Sequence, residues 1–189
     1  MAKKRKNKFA SLIKFIIFCV ITGLCVNIGY KEVSEYLYPK KYSEYVEKYA
    51  SEYGISENLL YAVIRTESSF NPDAVSSAGA RGLTQITEDT FEWLLTKTDD
   101  DYSFDDLFTP AISIKYGALF LSILQDEFAI TDTVIAAYHA GMGNVSGWLE
   151  NPEYSPDGQH LATTPISDTN HYISKVSSAI DRYYDIYNE

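Results

Sequence analysis

An all-α domain behind one N-terminal apolar helix is the fold class this sequence predicts, and three observations predict it. Apolar residues recur at helical spacing in most segments bounded by Ser, Thr, Gly or Pro. No segment sustains two-residue alternation between hairpin turns, so β-structure is expected to be minor. Residues 15–30, FIIFCVITGLCVNIGY, carry no charge. The length of 189 residues suits one domain plus a terminal appendage. With 46% hydrophobic and 22% charged residues the chain is neither disordered nor collagen-like.

Residues 1–10 form a basic head, and residues 11–30 read as a membrane span: extended back to Ser11, with Lys14 snorkelling at its edge, the apolar run reaches the roughly 20 residues a crossing helix needs. A cleaved signal peptide has a shorter apolar stretch and a small-x-small site. Gly23-Leu24-Cys25 matches that weakly, so an uncleaved anchor is expected; cleavage would instead release a secreted protein. The basic head predicts a cytoplasmic N-terminus and residues 31–189 outside the cell. Cys19 and Cys25 both fall in the apolar run, so no disulfide braces the exported part. Its three His (His139, His160, His171) are scattered, and neither a metal site nor a cofactor is expected.

The net charge of −10 conceals an asymmetry. Lys3, Lys4, Arg5, Lys6, Lys8 and Lys14 precede Phe15 without any acid among them, so the rest of the chain, with the other Lys and Arg set against 26 acids, carries −16. Such a surface repels phosphate backbones, which excludes nucleic acid as a partner of the folded part.

Residues 31–38 read as a short stem, and the domain proper as residues 39–189. Pro39 is a candidate start for the amphipathic helix KKYSEYVEKYASEY, which Gly54 ends. Ser56 is a candidate N-cap for ENLLYAVIRTES, and Asn71-Pro72 forbids continuation beyond Phe70. Thr87 opens TFEWLL. Thr109 precedes a helix starting at Pro110, where the missing N–H costs nothing, and running to Phe128. Thr131 opens VIAAYHA, and Asp168 or Thr169 opens the last helix, HYISKVSSAIDRYYDIY. AVSSAGARG and NPEYSPDGQHLATTP lack regular patterning and read as loops, the second with a turn at Asp157-Gly158. GMGNVSG, at residues 141–147, lacks a preceding strand and the Lys-Ser/Thr ending of a phosphate loop, so a helix turn after Ala140 explains it. The run Asp99-Asp100-Asp101 does not have calcium-loop spacing and reads as a solvated loop.

One residue stands out chemically. Leu60, Ile64 and Glu67 fall at i, i+4 and i+7 with Val63 beside them, so Glu67 projects from the apolar face of its helix. Desolvation there favours the neutral acid, and the negative end of the helix dipole pushes the same way. A carboxyl kept protonated near neutral pH can act as a proton donor. By spacing alone, a solvated Glu at a frayed helix end is an equal alternative.

The surrounding motifs extend the reading. Glu67-Ser68 is followed by Phe70-Asn71-Pro72, by Ser77-Ala78-Gly79-Ala80-Arg81-Gly82-Leu83-Thr84-Gln85-Ile86, by Ala137-Tyr138-His139-Ala140-Gly141, and by the segment from Pro165 to Tyr172. From about Pro39 onward this ordered set resembles the soluble lytic transglycosylase (SLT) family, which implies a goose-lysozyme-like fold. The resemblance implies Glu67 as the catalytic acid and base. It implies Ser68, Gln85, Tyr138, His139, Asp168 and Tyr172 as substrate-contacting residues, with Tyr138 approaching Glu67. Thr84 stands where the family motif Gly-Leu-Met-Gln has Met, which loses apolar contact. His139 stands in place of Asn in Ala-Tyr-Asn-Ala-Gly, and Asp168 in place of the Glu of Glu-Thr-x-x-Tyr.

The implied substrate is the glycan strand of peptidoglycan, cut between muramic acid and glucosamine without water to leave a 1,6-anhydro end. A two-carboxylate glycosidase needs a second acid, and none accompanies Glu67 at a fixed offset; Asp73, Glu88 and Asp89 read as loop and helix-start carboxylates. Tyr138, Trp148 and Tyr172 could offer faces to sugars, with core packing the stronger reading for Trp148. A hydrolytic lysozyme on the same fold and a non-catalytic wall-binding scaffold remain the alternatives, and the sequence names no protein partner.

Overall fold

The computed structural model describes residues 2–187, with the backbone alone for residues 2–14 and for residues 27 and 28. The basic side chains of the head therefore lie outside the described residues. The chain divides into two compact units, one ending at Pro39 and one beginning at Lys40.

The first unit is a single helix, α1 (Ala2–Leu37). Its Phe15–Leu37 stretch is long and apolar enough to cross a membrane. Phe15, Phe18, Val26 and their neighbours stand exposed along it. The helix does not stop at residue 30. The segment expected to be a separate stem continues it to Leu37, because Lys31 to Tyr36 contain no helix breaker and Lys31 pairs with Glu35 one turn on, at 3.9 Å. Thirty-six helical residues rise about 54 Å.

The second unit is all-helical, with no strand among the described residues: α2 (Ser43–Tyr53), α3 (Glu57–Ser68), α4 (Glu88–Leu95), α5 (Pro110–Glu127), α6 (Thr131–Ala140), α7 (Met142–Leu149) and α8 (Ser167–Tyr187). Helix α2 begins at Ser43 rather than near Pro39, since Tyr42 takes left-handed backbone (φ 59°) and breaks the run. A short 3₁₀ helix at Phe104–Phe108, unforeseen in the helical pattern, is closed by a capping box between Ser103 and Asp106. Most of GMGNVSG lies in a helix, α7, which starts at Met142 after Gly141 and is longer than the turn expected there.

Helix α3 is the centre of the unit. Leu59 to Ile64 are at most 2% exposed, so this helix is covered on nearly every side. It packs chiefly against α8, while α2 lies on α5 and α6 lies between α5 and α8. Tyr61 stacks on Tyr183 at 5.3 Å and meets Phe70 at 6.4 Å. Lys40 lays its ammonium over the rings of Tyr61 and Tyr187, at 5.5 and 4.9 Å, and reaches Glu57 at 3.7 Å. This packing fixes the C-terminal end of α3, where Glu67 stands.

Candidate active site

The end of α3 is held by a backbone reversal. Ser69 and Phe70 both adopt left-handed backbone, at φ 51° and 64°. The Ser69 N–H closes the helix on the Arg65 carbonyl at 3.1 Å. The reversal swings Phe70 into the core, where it is 5% exposed. Asn71 then accepts the Asp73 N–H on its side chain, at 3.1 Å, and starts the loop that walls the cleft.

That loop, residues 74–86, is braced by its own backbone. The Ala74 carbonyl accepts the Gly82 N–H, and the Arg81 N–H donates to Ile86, both at 3.0 Å. Arg81 pairs with Asp105 and lies over the Phe104 ring at 4.1 Å, tying the loop to the 3₁₀ helix. Gln85 also adopts left-handed backbone (φ 49°). Its side-chain amide donates to the Ala74 carbonyl at 3.0 Å and to the Gly82 carbonyl at 2.8 Å. With both donor hydrogens committed, the Gln85 carbonyl oxygen is its group left to meet a ligand.

Glu67, Gln85, Tyr138 and His139 line one cleft of about 250 Å³, together with Ser76, Ala78, Ala80, Ile86, Thr87, Thr90 and Phe120. Tyr172, buried on α8, donates its hydroxyl to Glu67 Oε1 at 2.5 Å. Burial drives the Glu67 carboxyl up to about 7, against smaller downward pulls from the Tyr172 hydroxyl and the Lys175 ammonium. Burial and the adjacent Glu67 hold the Tyr172 phenol well above its ordinary value, so it stays a proton-bearing donor.

Tyr138 lines the same cleft as Glu67, close enough for the Glu67 charge to help hold its phenol well above the ordinary value, after burial as the larger cause. Its hydroxyl donates to the Thr84 carbonyl at 2.7 Å, and the hydroxyl that bonds Glu67 is that of Tyr172. His139 stacks on the Tyr172 ring at 4.5 Å, and its Nδ1 lies 3.2 Å from Thr169 Oγ1. Burial lowers the His139 imidazole, opposed by the charge of Asp168, so it is neutral at pH 7. Asp168 itself is exposed in the first turn of α8 and does not line the cleft. Ser68 turns its hydroxyl back to the Ile64 carbonyl at 3.1 Å and is not a lining residue either. Trp148 also stays outside the cleft.

Sequence reasoning missed Thr169, Phe120 and the Thr84 carbonyl as parts of the site. Thr169 carries a helix-opening signal in the sequence that masks its contact with His139, and a backbone carbonyl leaves no trace in residue type. No carboxylate other than Glu67 is among the described residues that line the cleft. The arrangement therefore offers one half-buried acid with a raised pKa, a hydroxyl donor on it, and amide and imidazole groups across an open groove.

Residues 44–160 match the Transglycosylase SLT domain family. Membrane-bound lytic murein transglycosylase C of Actinobacillus pleuropneumoniae serotype 5b is 33% identical over 172 residues, an alignment covering 78% of this chain and 47% of the relative. The chain thus spans about half the length of the curated relatives it matches. In three dimensions it superposes on an inactive mutant of the lytic transglycosylase Slt from Pseudomonas aeruginosa with a TM-score of 0.71 at 30% identity, over 80% of this chain and 25% of that one. The 70 kDa soluble lytic transglycosylase from Escherichia coli gives 0.74 at 28% identity, again over 80% and 25%. The all-α, lysozyme-like architecture is shared with both. The domain match, the relatives and the structural neighbours agree, and the chain belongs to the Transglycosylase SLT domain family.

Proposed function

We propose that the chain is a lytic transglycosylase that cuts peptidoglycan glycan strands at the muramic acid to glucosamine bond, with Glu67 as acid and then as base. The observation that carries this reading is a single carboxyl, raised to about 7 by burial, in a cleft with no second lining carboxylate among the described residues. Glu67 gives its proton to the glycosidic oxygen, and the bond from that oxygen to C1 breaks. The substrate's N-acetyl oxygen shares the positive charge left on the muramyl C1. The Glu67 carboxylate then takes the proton from the muramyl C6 hydroxyl as that oxygen bonds to C1. A 1,6-anhydro end forms, the acid is regenerated, and no water is consumed. Gln85 and His139 face the sugar from the cleft walls, and Asp168 acts from outside the cleft through its charge on His139. Mass spectrometry of products from purified peptidoglycan tests the reading. Anhydromuramyl ends support it, reducing ends mean a lysozyme, and bound strands without release mean a scaffold.

The Tyr172 hydroxyl lowers the Glu67 pKa, so the Tyr172→Phe variant is expected to hold its acid protonated to higher pH. The alkaline limb of its rate profile should move upward from about pH 7, where the wild-type Glu67 titrates. A limb that stays in place or moves downward would contradict the assignment of Glu67 as the proton donor.

In this reading α1 anchors the protein with the basic head in the cytoplasm and the second unit outside, confining cleavage to glycan near the membrane. A −16 surface gives the exported unit no attraction to phosphate-rich wall polymers. Removing residues 1–30 while supplying a cleavable export signal is expected to move the protein from the membrane to the soluble fraction. Tight membrane retention of the shortened chain would count against the anchor.

A further inference from the structure

Thr84 and Ser113 have no place in the chemistry above, yet they meet directly beneath it. Thr84 is fully buried, as is Ser113 on α5. The Thr84 N–H donates to Ser113 Oγ at 3.2 Å, and the Thr84 hydroxyl donates to the Ser113 carbonyl at 2.9 Å. The two hydroxyl oxygens lie 3.1 Å apart, so the Ser113 hydrogen has Thr84 Oγ1 as its acceptor and both hydroxyls are satisfied. The seat is shaped for this pair: a Cβ at Gly117 would fall 2.4 Å from Thr84 Cγ2, and one at Gly82 would fall 2.7 Å from Ser113 Oγ.

Residue 84 joins two functional groups. Its carbonyl accepts the Tyr138 hydroxyl at 2.7 Å. The next residue is Gln85, held at φ 49° with its amide on two loop carbonyls. Whatever fixes Thr84 on α5 thereby fixes both cleft walls relative to each other. Hydrogen bonds restrict direction as well as distance.

We propose that the Thr84–Ser113 hydroxyl pair is a positioning device that holds Gln85 and Tyr138 in register opposite Glu67, replacing with directional bonds the apolar contact of the methionine that the family motif carries at this position. The inference rests on the function proposed above. A displacement of about 1 Å at such a site can cost on the order of 100-fold in rate, so a pair that prevents a smaller slip is expected to matter by about 10-fold.

The test is steady-state kinetics of the full chain in detergent on soluble glycan strands, with melting temperature recorded for each variant. Thr84→Val and Ser113→Ala are expected to lower kcat by about 10-fold with KM within about twofold of wild type. Thr84→Ser keeps the hydroxyl and is expected to restore kcat to within about twofold. Thr133→Val serves as the structural control: Thr133 is also buried, its hydroxyl bonds the Gln159 carbonyl, and it does not line the cleft. That variant is expected to lose melting temperature and keep kcat. Full kcat in Thr84→Val and Ser113→Ala, or an equal kcat loss in Thr133→Val, would overturn the positioning role while leaving the function intact. A wild type that releases no anhydromuramyl product would overturn the function itself, and this inference with it.

Discussion

Glu67→Gln is expected to release anhydromuramyl products at least about 1,000-fold more slowly than wild type, because one group serves as both acid and base and general acid–base catalysis alone is worth about 100- to 10,000-fold. Gln keeps the shape of Glu and can still accept the Tyr172 hydroxyl that now bonds Oε1 at 2.5 Å, so the fold should survive. A second readout separates lost chemistry from lost structure. The folded-state pKa of Glu67 is about 7, above the ordinary 4.5. Between those values the folded chain holds a proton that the unfolded chain has released, so this group lowers stability as pH rises through the window. Gln never ionises and escapes that loss. The variant should match wild type near pH 4 and exceed it above pH 7 by up to about 3 kcal/mol. Unfolding curves at the two pH values check this, and a variant less stable at both would mean that the carboxylate is structurally required.

Gly82→Ala is expected to cost about 3 kcal/mol or more of stability, and activity with it. Gly82 has φ 76°, and a Cβ there would lie 2.0 Å from the Leu107 carbonyl oxygen and 2.7 Å from Ser113 Oγ. The first of these is backbone and cannot rotate away. The matched comparison is Gly79→Ala: φ is 81°, but nothing lies within 4 Å of the added carbon. That variant should lose only the left-handed backbone preference, about 1 kcal/mol. Denaturant titration of the two variants isolates the close approach between the cleft loop and the 3₁₀ helix. Equal losses would contradict it.

The helical class and the acid were legible in the sequence because both rest on local periodicity. Leu60, Ile64 and Glu67 share a face over two turns, and the structure buries that face against α8. The elements that escaped are those where local signals are weak or misleading. The 3₁₀ helix at Phe104–Phe108 is too short to show a period, although Ser103 and Asp106 carried its capping signature. Gly143 and Gly147 inside α7, with Gly141 just before it, disguised the helix as a turn. The start of α2 depended on the backbone of Tyr42, which residue type does not announce.

Within the site, the unread parts are long-range. Tyr172 meets Glu67 across 105 residues, and only the crossing of α8 over α3 decides that it, and not Tyr138, makes the hydrogen bond. Thr84 looked like a simple loss of apolar contact. Its compensation lies 29 residues away at Ser113 and on the bare backbone of Gly117. Neither partner is informative until the loop is laid on α5.

The most direct test of the central claim is digestion of purified peptidoglycan by the full chain in water enriched in heavy oxygen, with the mass of the new muramyl ends measured. The account predicts ends one water lighter than a hydrolysis product and free of label, since the muramyl C6 oxygen closes the bond at C1. Labelled reducing ends would mean that water attacks C1, and the chain would then be a lysozyme with the same acid.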